Sequence, residues 1–440
     1  MTYDLLLTNA DVFTPGGLIR ASLGITGERI AGIGVDAPAA QTIDCAGLTI
    51  LPGAIDTQVH FREPGLTHKE DLESGSRAAV LGGIVGVFEM PNTNPNTDSV
   101  AALEDKLARA KGRMWCDHAF YAGATHANAP DLAEIEMTPG CAGVKIFMGS
   151  STGNLLVADD EGLERVLRHG RRRVAIHAED EPRLLERLGE RVPGDPRSHP
   201  VWRDDQTALI ATKRAIAAAR ATKRRVHILH ISNPDELAFL ADHKDIASAE
   251  ATPNHLTLAA EEAYPRLGTQ AQMNPPVRGS AARAGLWHWL QQGVVDVIGS
   301  DHAPHTIEEK AREYPASPSG MPGVQTLLPI MLDHVAAGRL SLARLVDLTS
   351  TGAARLFGII GHGRIAVGQT ASLSVVDLAA RWTIREDWLA SRAGWSPFTG
   401  MEITGKPIGT IVRGRAAMWE GALAATAFGS PFRFEDTLRA

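Results

Sequence analysis

Cysteine is scarce in this chain of 440 residues, which contains only Cys45, Cys116 and Cys141. The three are widely spaced and form no CxxC pair, so the sequence supports neither a disulfide framework nor a zinc site made of thiolates. Long apolar runs are also missing: no stretch of about 18 uncharged apolar residues occurs, and we expect no membrane span. The first four residues lack the basic start of a secretory signal. These absences predict a cytoplasmic protein.

An excess of basic residues is missing as well. The chain has 44 Lys and Arg against 51 Asp and Glu, a net charge of -7. This balance gives no indication of a polyanion-binding surface, so we expect no nucleic-acid partner. Hydrophobic residues make up 44% and charged residues 22% of the chain. These values are ordinary for a globular protein, and the length suffices for one large domain and a smaller one.

Both ends of the chain have the pattern of short β-strands separated by Gly and Pro turns. Residues 1–52 show no helical period, and the other end contains strand candidates at 363–365 and 372–377. Neither end alone offers enough hydrophobic pattern for a stable sheet. We therefore predict one small β-sandwich domain built from residues 1–52 and 363–440, with residues 53–362 inserted between them.

Residues 53–362 alternate between strand and helix patterns. Eight strand candidates occur, with predicted helices between them, in the segments 53–65, 84–90, 116–121, 143–148, 174–177, 225–230, 246–252 and 294–301. This alternation predicts an α/β fold, a (β/α)8 TIM-type barrel. A doubly wound open sheet is the alternative, but the GxGxxG turn that often marks one is missing after the first strand.

Almost every predicted strand ends on a polar residue, at the barrel face where chemistry collects. These residues are His60, Arg62, Asn92, Lys145, His177, His230, Asn254, His255, Asp301 and His305. Gln58, His60 and Arg62 lie two residues apart, so on a strand they point to one face. A buried His or Arg is costly unless a metal or an anion receives it. One such residue is explained by an ordinary hydrogen bond, but the whole set indicates a polar site.

The residue types indicate a hydrolytic metal. Imidazole and carboxylate ligands without thiolates suit zinc, and suit manganese or iron less well. His177 and His230 end separate strands, so each offers a ring nitrogen to a common ion. Asp301 ends the last strand, where it ligates the metal and accepts a proton from a water whose pKa the metal lowers. Lys145 fits only if burial lowers its pKa and it reacts with carbon dioxide to form a carbamate.

Assembled in this way, the chain resembles the amidohydrolase superfamily and, within it, the dihydroorotase family that carries a carboxylated lysine. The similarity runs over essentially the whole chain. It rests on the segments DTQVHFREPG (56–65), MPNTNP (90–95), VKIFMGSSTGN (144–154), IHAEDE (176–181), HILHIS (227–232), NPPVR (274–278) and DHAPH (301–305). The combination of HFREPG, MPNT and DHAPH is the most specific part of the resemblance.

The resemblance implies a role for each site residue. The implied ligands of one or two zinc ions are His60, Lys145 as a carbamate, His177, His230 and Asp301. The implied substrate-binding residues are Arg62, Asn92, Asn274 and His305. Asp301 is in addition the implied proton shuttle. The planar fork of Arg62 matches a carboxylate, which makes physical sense of its role.

Gln58 departs from this family's usual pattern, in which the first strand carries His-x-His. An amide oxygen is a weak neutral ligand where imidazole is a good one. Three interpretations follow: two metals with one bound more weakly, one metal only, or an inactive relative. Because the other site residues are all in place, we favour an active enzyme.

The implied reaction is the reversible hydrolysis of dihydroorotate to N-carbamoyl-aspartate, a step of pyrimidine biosynthesis. Arg62, Asn92 and His305 suit a small anionic cyclic-amide substrate. Allantoinase or hydantoinase activity on an uncharged ring is one alternative. The other is an inactive partner of a transcarbamoylase, which Gln58 favours.

Two features of the chain each allow more than one interpretation. The segment 317–323 is rich in Gly and Pro, and we expect either a loop that closes over the pocket or a plain surface turn. A homodimer is the commonest assembly of soluble enzymes, and the sequence carries no more specific signal of the oligomeric state.

Overall fold

The computed structural model describes residues 2–150 and 155–438. The last four residues of the segment 144–154 lie outside the described residues, as do the extreme ends of the predicted β domain. The strands are β1 (Tyr3–Thr14), β2 (Gly17–Thr26), β3 (Arg29–Ile33), β4 (Ala39–Asp44), β5 (Thr49–Pro52), β6 (Ala54–Val59), β7 (Ile84–Glu89), β8 (Asp117–Gly123), β9 (Cys141–Phe147), β10 (Val174–His177), β11 (Val226–Ile228), β12 (Ala247–Ala251), β13 (Val297–Ile298), β14 (Leu373–Thr383), β15 (Glu402–Val412), β16 (Arg415–Trp419) and β17 (Ala422–Leu423).

The helices cover the barrel strands and include several short turns. They are α1 (Leu72–Leu81), α2 (Val100–Ala110), α3 (Leu132–Ile135), α4 (Asp160–Leu167), α5 (Glu181–Glu186), α6 (His199–Trp202), α7 (Asp205–Thr222), α8 (Pro234–Ala241), α9 (Pro253–Thr257), α10 (Ala260–Leu267), α11 (Ser280–Gln291), α12 (Ile307–Lys310), α13 (Leu327–Ala336), α14 (Leu342–Val346), α15 (Gly352–Phe357) and α16 (Glu435–Leu438). None of the described helices combines the length and the apolar character that a membrane span needs.

The predicted barrel is confirmed. Within the described residues, β6 to β13 form a parallel sheet of eight strands in sequence order. The ring closes where the end of β6 meets the chain after β13: the backbone N–H of His60 donates to the carbonyl of His302 at 2.7 Å. Strands such as β7 are buried along their whole length, as a parallel sheet covered by helices requires.

Local sequence signals fix the starts of the helices that cover the barrel. The side chain of Asp71 accepts a hydrogen bond from the backbone N–H of Ser74 and caps α1. Asp204 caps α7 in the same way, through Thr207. These caps satisfy N–H groups that have no partner inside the helix, so each helix begins at a defined residue.

The two ends of the chain share one sheet, which confirms a small β domain built from both termini. Within the described residues its order is β17-β16-β15-β14-β5-β1-β2-β3, with β4 paired to β1. The ends join where β5 pairs antiparallel with β14, with Pro52 opposite Leu373. The sheet encloses a separate apolar core that includes Leu7, Ile50 and Ile411. The limits of the domain at 52/53 and 362/363 stay predictions.

One strand prediction at this end is wrong. Residues 363–365 are irregular. Gly361 and Gly363 both have positive φ angles, of 77° and 91°, and such angles turn the chain where a strand would have to continue. The next prediction, at 372–377, corresponds to the start of β14.

Candidate active site

A polar pocket lies at the carboxyl ends of the barrel strands. Its lining consists of Gln58, His60, Arg62, Asn92, Lys145, Phe147, His177, His230, Asn274, Asp301, Ala303, Ser319 and Gly320. The pocket therefore contains all the residues that the sequence singles out as ligands or substrate contacts except His305. That residue lines an adjoining cavity of about 390 Å³, which shares Asn274 and Ser319 with the pocket.

Three of the pocket residues hold unusual backbone conformations. Arg62, His230 and Asp301 have φ angles of 64°, 37° and 48°. A side chain in this left-handed region costs about 1–3 kcal/mol, and such strain persists only where the surroundings impose it. Each of these residues follows the end of a strand, so the turn aims its side chain across the barrel mouth.

His177 and His230, the histidine pair, are in contact with each other in the pocket lining. His177 Nδ1 lies 2.9 Å from His230 Nε2. On the other side of the His177 ring, Nε2 lies 2.9 Å from Glu179 Oε2. The buried Arg203 donates two hydrogen bonds to that carboxylate, at 3.0 and 2.7 Å. Because a carboxylate favours a proton on Nε2, it leaves Nδ1 of His177 unprotonated on the side that faces His230.

Gln58, His60 and Asp301, the Asp301 group, occupy the opposite side. His60 Nδ1 lies 2.9 Å from Asn92 Oδ1, and a proton on Nδ1 leaves Nε2 free toward Asp301 Oδ1, at 3.3 Å. Gln58 Nε2 donates to the same oxygen at 3.0 Å. The other amide atom, Gln58 Oε1, is buried and has no hydrogen-bond partner among the described residues.

Lys145 lines the same pocket, and its charge acts on histidines of both sets, His60 and His230. Burial lowers the pKa of Lys145 to about 7, although the charges of Asp301 and Glu250 oppose the shift. Burial likewise raises the pKa of Asp301 to about 6, against the effect of Lys145. At neutral pH a large share of Lys145 is therefore a neutral amine, the form that reacts with carbon dioxide. Asp301 has a pKa suited to proton transfer near neutrality.

The donor atoms come in pairs. Within residues 2–150 and 155–438, no set of three or more His, Cys, Asp and Glu side chains is grouped as metal ligands would be. The histidine pair provides two nitrogens and the Asp301 group one nitrogen and a carboxylate. The chemistry of this donor set suits zinc if Lys145 adds an oxygen to each side as a carbamate.

Arg62 has an unsatisfied donor in the pocket. Its Nε donates to the carbonyl of Pro304 at 3.2 Å, while Nη1 is buried and has no hydrogen-bond partner among the described residues. A guanidinium N–H in this situation needs an acceptor. A carboxylate supplies one in the geometry that the planar fork prefers.

Neighbouring groups fix the orientation of two further predicted substrate-binding side chains, His305 and Asn274. Lys69 Nζ lies 3.1 Å from Nδ1 of His305, whose Nε2 lies 3.0 Å from the carbonyl of Ser319. His199 Nε2 lies 3.0 Å from Asn274 Oδ1, which directs the amide NH2 of Asn274 away from that ring. Both residues are thus held beside Arg62 and the pocket before any substrate arrives.

Besides His305, two of the polar residues at strand ends lie outside the pocket lining. Asn254 and His255 belong to α9, and the Thr252 side chain caps that helix by accepting from the backbone N–H of His255. The His255 ring is occupied as well, by Thr252 Oγ1 at 2.9 Å and the carbonyl of Pro275 at 3.1 Å. The rule that strand ends carry function fails here because the polar residues begin a helix.

The segment 317–323 borders the pocket through Ser319 and Gly320. Lys310 Nζ donates to the carbonyl of Pro318 at 2.8 Å, and the backbone N–H of Gly320 donates to the carbonyl of Gln272 at 2.9 Å. Its residues are buried or half-buried, so the surface-turn interpretation is wrong. Closure of this segment over a substrate stays a prediction.

Sequence reasoning missed Glu179 and Arg203. Glu179 lies two residues after His177, inside the segment IHAEDE, and that spacing was the available signal. Arg203 lies in the short connection between α6 and α7. No motif distinguishes Arg203, because its contact with Glu179 spans 24 residues and depends on the fold.

The chain is similar to known proteins over nearly its whole length. The model of the amidohydrolase family matches residues 49–417. The chain is 35% identical to a dihydroorotase of Methanosarcina mazei over 439 residues, which cover 96% of this chain and 95% of that protein. It is 33% identical to an allantoinase of Deinococcus radiodurans over 449 residues, 98% of this chain and 99% of that protein. The solved structure of an L-hydantoinase from Arthrobacter aurescens matches with a TM-score of 0.93 at 28% identity, over 98% of this chain and 100% of that one.

Proposed function

Because the chain belongs to the amidohydrolase family, we propose that it is a metal-dependent cyclic-amide hydrolase whose substrate is dihydroorotate. The reaction is the reversible opening of the ring to N-carbamoyl-aspartate. The choice of dihydroorotate is supported by two dihydroorotases that are each 35% identical to this chain. The observation that carries it is the unsatisfied Nη1 of Arg62 in the pocket, since the carboxylate of dihydroorotate provides the acceptor that an uncharged ring lacks.

We propose that the metal is zinc and that the histidine pair and Lys145, as its carbamate, hold it. The orientation of the two ring nitrogens and the lowered pKa of Lys145 support this assignment. When bound, zinc polarises the amide carbonyl and lowers the pKa of the water that it holds.

The protein's own residues orient the ring and move the proton. Arg62 holds the substrate carboxylate, with Asn92 and His305 beside it, and Asn274 holds the ring amide. Asp301 takes the proton of the attacking water on its carboxylate. It then delivers this proton to the departing ring nitrogen, a transfer that suits a carboxyl group whose pKa burial raises to about 6.

A turnover panel tests the substrate assignment. Purified protein, supplied with zinc and bicarbonate, is assayed with dihydroorotate, allantoin and hydantoin. We expect dihydroorotate to have the highest kcat/KM, and Arg62→Gln to lower that value while sparing any activity on hydantoin. A preference of the unchanged protein for an uncharged ring would refute the assignment and favour the allantoinase or hydantoinase alternative.

A second candidate function follows from Gln58, which stands where this family usually has a histidine. A protein with a weakened metal site would serve as a non-catalytic partner of a transcarbamoylase. No turnover with metal and bicarbonate present, together with a stable complex with such a transcarbamoylase, would establish this candidate.

We further infer that the enzyme works in the cytoplasm as a homodimer, the commonest assembly of soluble enzymes. Light scattering of the purified protein tests the assembly. A mass equal to one chain would refute the dimer.

A further inference from the structure

Resting on the proposed function, we propose that this protein holds one zinc ion tightly, at the histidine pair, and that Gln58 replaces a second ion by holding Asp301. The contacts of Gln58, His60 and Asp301 differ from those of the histidine pair. Gln58 therefore changes this side of the site in a defined way and does not merely remove a ligand.

The Gln58 amide is oriented with its NH2 group toward Asp301. Its Nε2 lies 3.0 Å from Asp301 Oδ1, and a carboxylate only accepts hydrogen bonds, so the NH2 end of the amide must face it. The oxygen, the one atom of Gln58 that could ligate a metal, is turned away and has no hydrogen-bond partner among the described residues. Gln58 therefore approaches Asp301 as a hydrogen-bond donor and not as a metal ligand.

The two sides of the pocket also differ in what lies behind their histidines. Behind His177 is the carboxylate of Glu179, which Arg203 holds with two hydrogen bonds. Behind His60 is the neutral amide oxygen of Asn92. A carboxylate partner makes an imidazole a better ligand, and losing such a partner typically weakens metal binding about 10–100-fold.

The number of ligands on each side also favours a single tight zinc site at the histidine pair. The histidine pair offers two imidazole nitrogens, and a carbamate on Lys145 adds a third ligand. On the other side, His60 is the single imidazole, and Asp301 Oδ1 accepts a hydrogen bond from Gln58 Nε2. Gln58 thus fixes the position of Asp301 without a second ion.

The test counts metal and does not depend on turnover. Protein stripped of metal is reconstituted with zinc and bicarbonate, freed of loosely bound ions and analysed for zinc per chain. We expect one zinc for the unchanged protein and two for Gln58→His. With Mn²⁺ in place of zinc, the electron paramagnetic resonance spectrum should show isolated ions in the unchanged protein and a coupled pair in Gln58→His.

A matched pair of variants keeps the proposal testable if Gln58→His does not fold. His60→Gln should still retain one zinc, whereas His177→Gln should retain none, because only the second change removes a ligand of the tight site. Two zinc ions of similar affinity in the unchanged protein would overturn the proposal, as would loss of the tight zinc in His60→Gln.

These outcomes are separable from those of the proposed function. If the protein binds one zinc but hydrolyses none of the cyclic amides, the proposed metal site is supported and the proposed function is refuted. If it hydrolyses dihydroorotate with two tightly bound ions, the proposed function is supported and the single metal site is refuted.

Discussion

The mouth of the barrel and the terminal β-sheet obey opposite rules. The core of the sheet is made of apolar side chains such as Leu7, Ala10 and Val12, and over residues 9–13 of β1 the buried positions alternate with more exposed ones. The barrel mouth buries histidines, a lysine and carboxylates, and holds three of its residues at positive φ. Natural sequences break local rules mainly at functional or strained sites. The comparison therefore predicts that changes at the mouth alter chemistry, and changes in the sheet alter stability.

The largest effect is expected for Asp301→Asn. An amide cannot take up the proton of the attacking water, so kcat should fall about 1,000-fold or more. The thermal midpoint should change little, because the substitution preserves the shape of the side chain. Activity and a melting curve are measured on the same preparation. Activity near that of the unchanged protein would remove Asp301 from its proposed role.

The opposite result is expected for Leu7→Ala, in the core of the terminal sheet. Leu7 is fully buried there, and removing such a side chain costs about 2–5 kcal/mol of unfolding free energy. The kcat/KM of the fraction that remains folded should be unchanged, since the sheet contributes no residue to the pocket lining. Denaturant unfolding followed by assays below the transition would reveal any loss of kcat/KM, which would contradict the separation of the two regions.

An intermediate effect is expected for Glu179→Gln. The amide keeps the size of the side chain but removes the charge beside His177 Nε2, and zinc affinity should fall about 10–100-fold. Competition with a chelator measures the affinity. Asn92→Asp is the matched change behind His60 and should leave the affinity of the tight zinc within about twofold, because the side chain of Asn92 orients His60, which is not a ligand of the tight site. Equal losses in both variants would erase the difference between the two sides.

The smallest effect is a change in pH dependence. Burial lowers the pKa of Lys145 to about 7, so the neutral amine increases as the pH rises through 7 and is nearly complete above about 8. The rate at which metal-free protein regains activity with zinc, at constant dissolved carbon dioxide, should follow that curve and then level off. An exposed lysine has a pKa of about 10.4, and with such a pKa the rate of reactivation would still be rising at about pH 9. Lys145→Ala should show no such recovery.

Much of the fold and of the pocket was predictable from the sequence, because both follow from periodicity. The alternation of strands and helices predicted the barrel, and parallel strands that end at one edge brought His60, Lys145, His177 and Asp301 together. The spacing of two residues between Gln58 and His60 predicted that both face the same side. These inferences needed only the local repeat of the chain.

Other features depend on contacts that no local repeat encodes. Arg203 reaches Glu179 because the chain between them, which includes α5 and α6, brings the two residues together in the fold. His255 was counted among the polar strand ends because a strand end and a helix start share the same polar residues, and the Thr252 cap distinguishes them. The tilt of Gln58 toward Asp301, and with it the single tight zinc that we propose, is likewise a property of the assembled pocket.

The pairing of β5 with β14 has a consequence for synthesis on the ribosome. Residues that will be neighbours, such as Ile50 and Val375, leave the exit tunnel far apart in time. Until the last strands emerge, the first ones present unpaired edges and an uncovered apolar face, which favour aggregation. Shortening the chain before β14 should therefore yield insoluble material even though every barrel strand is present.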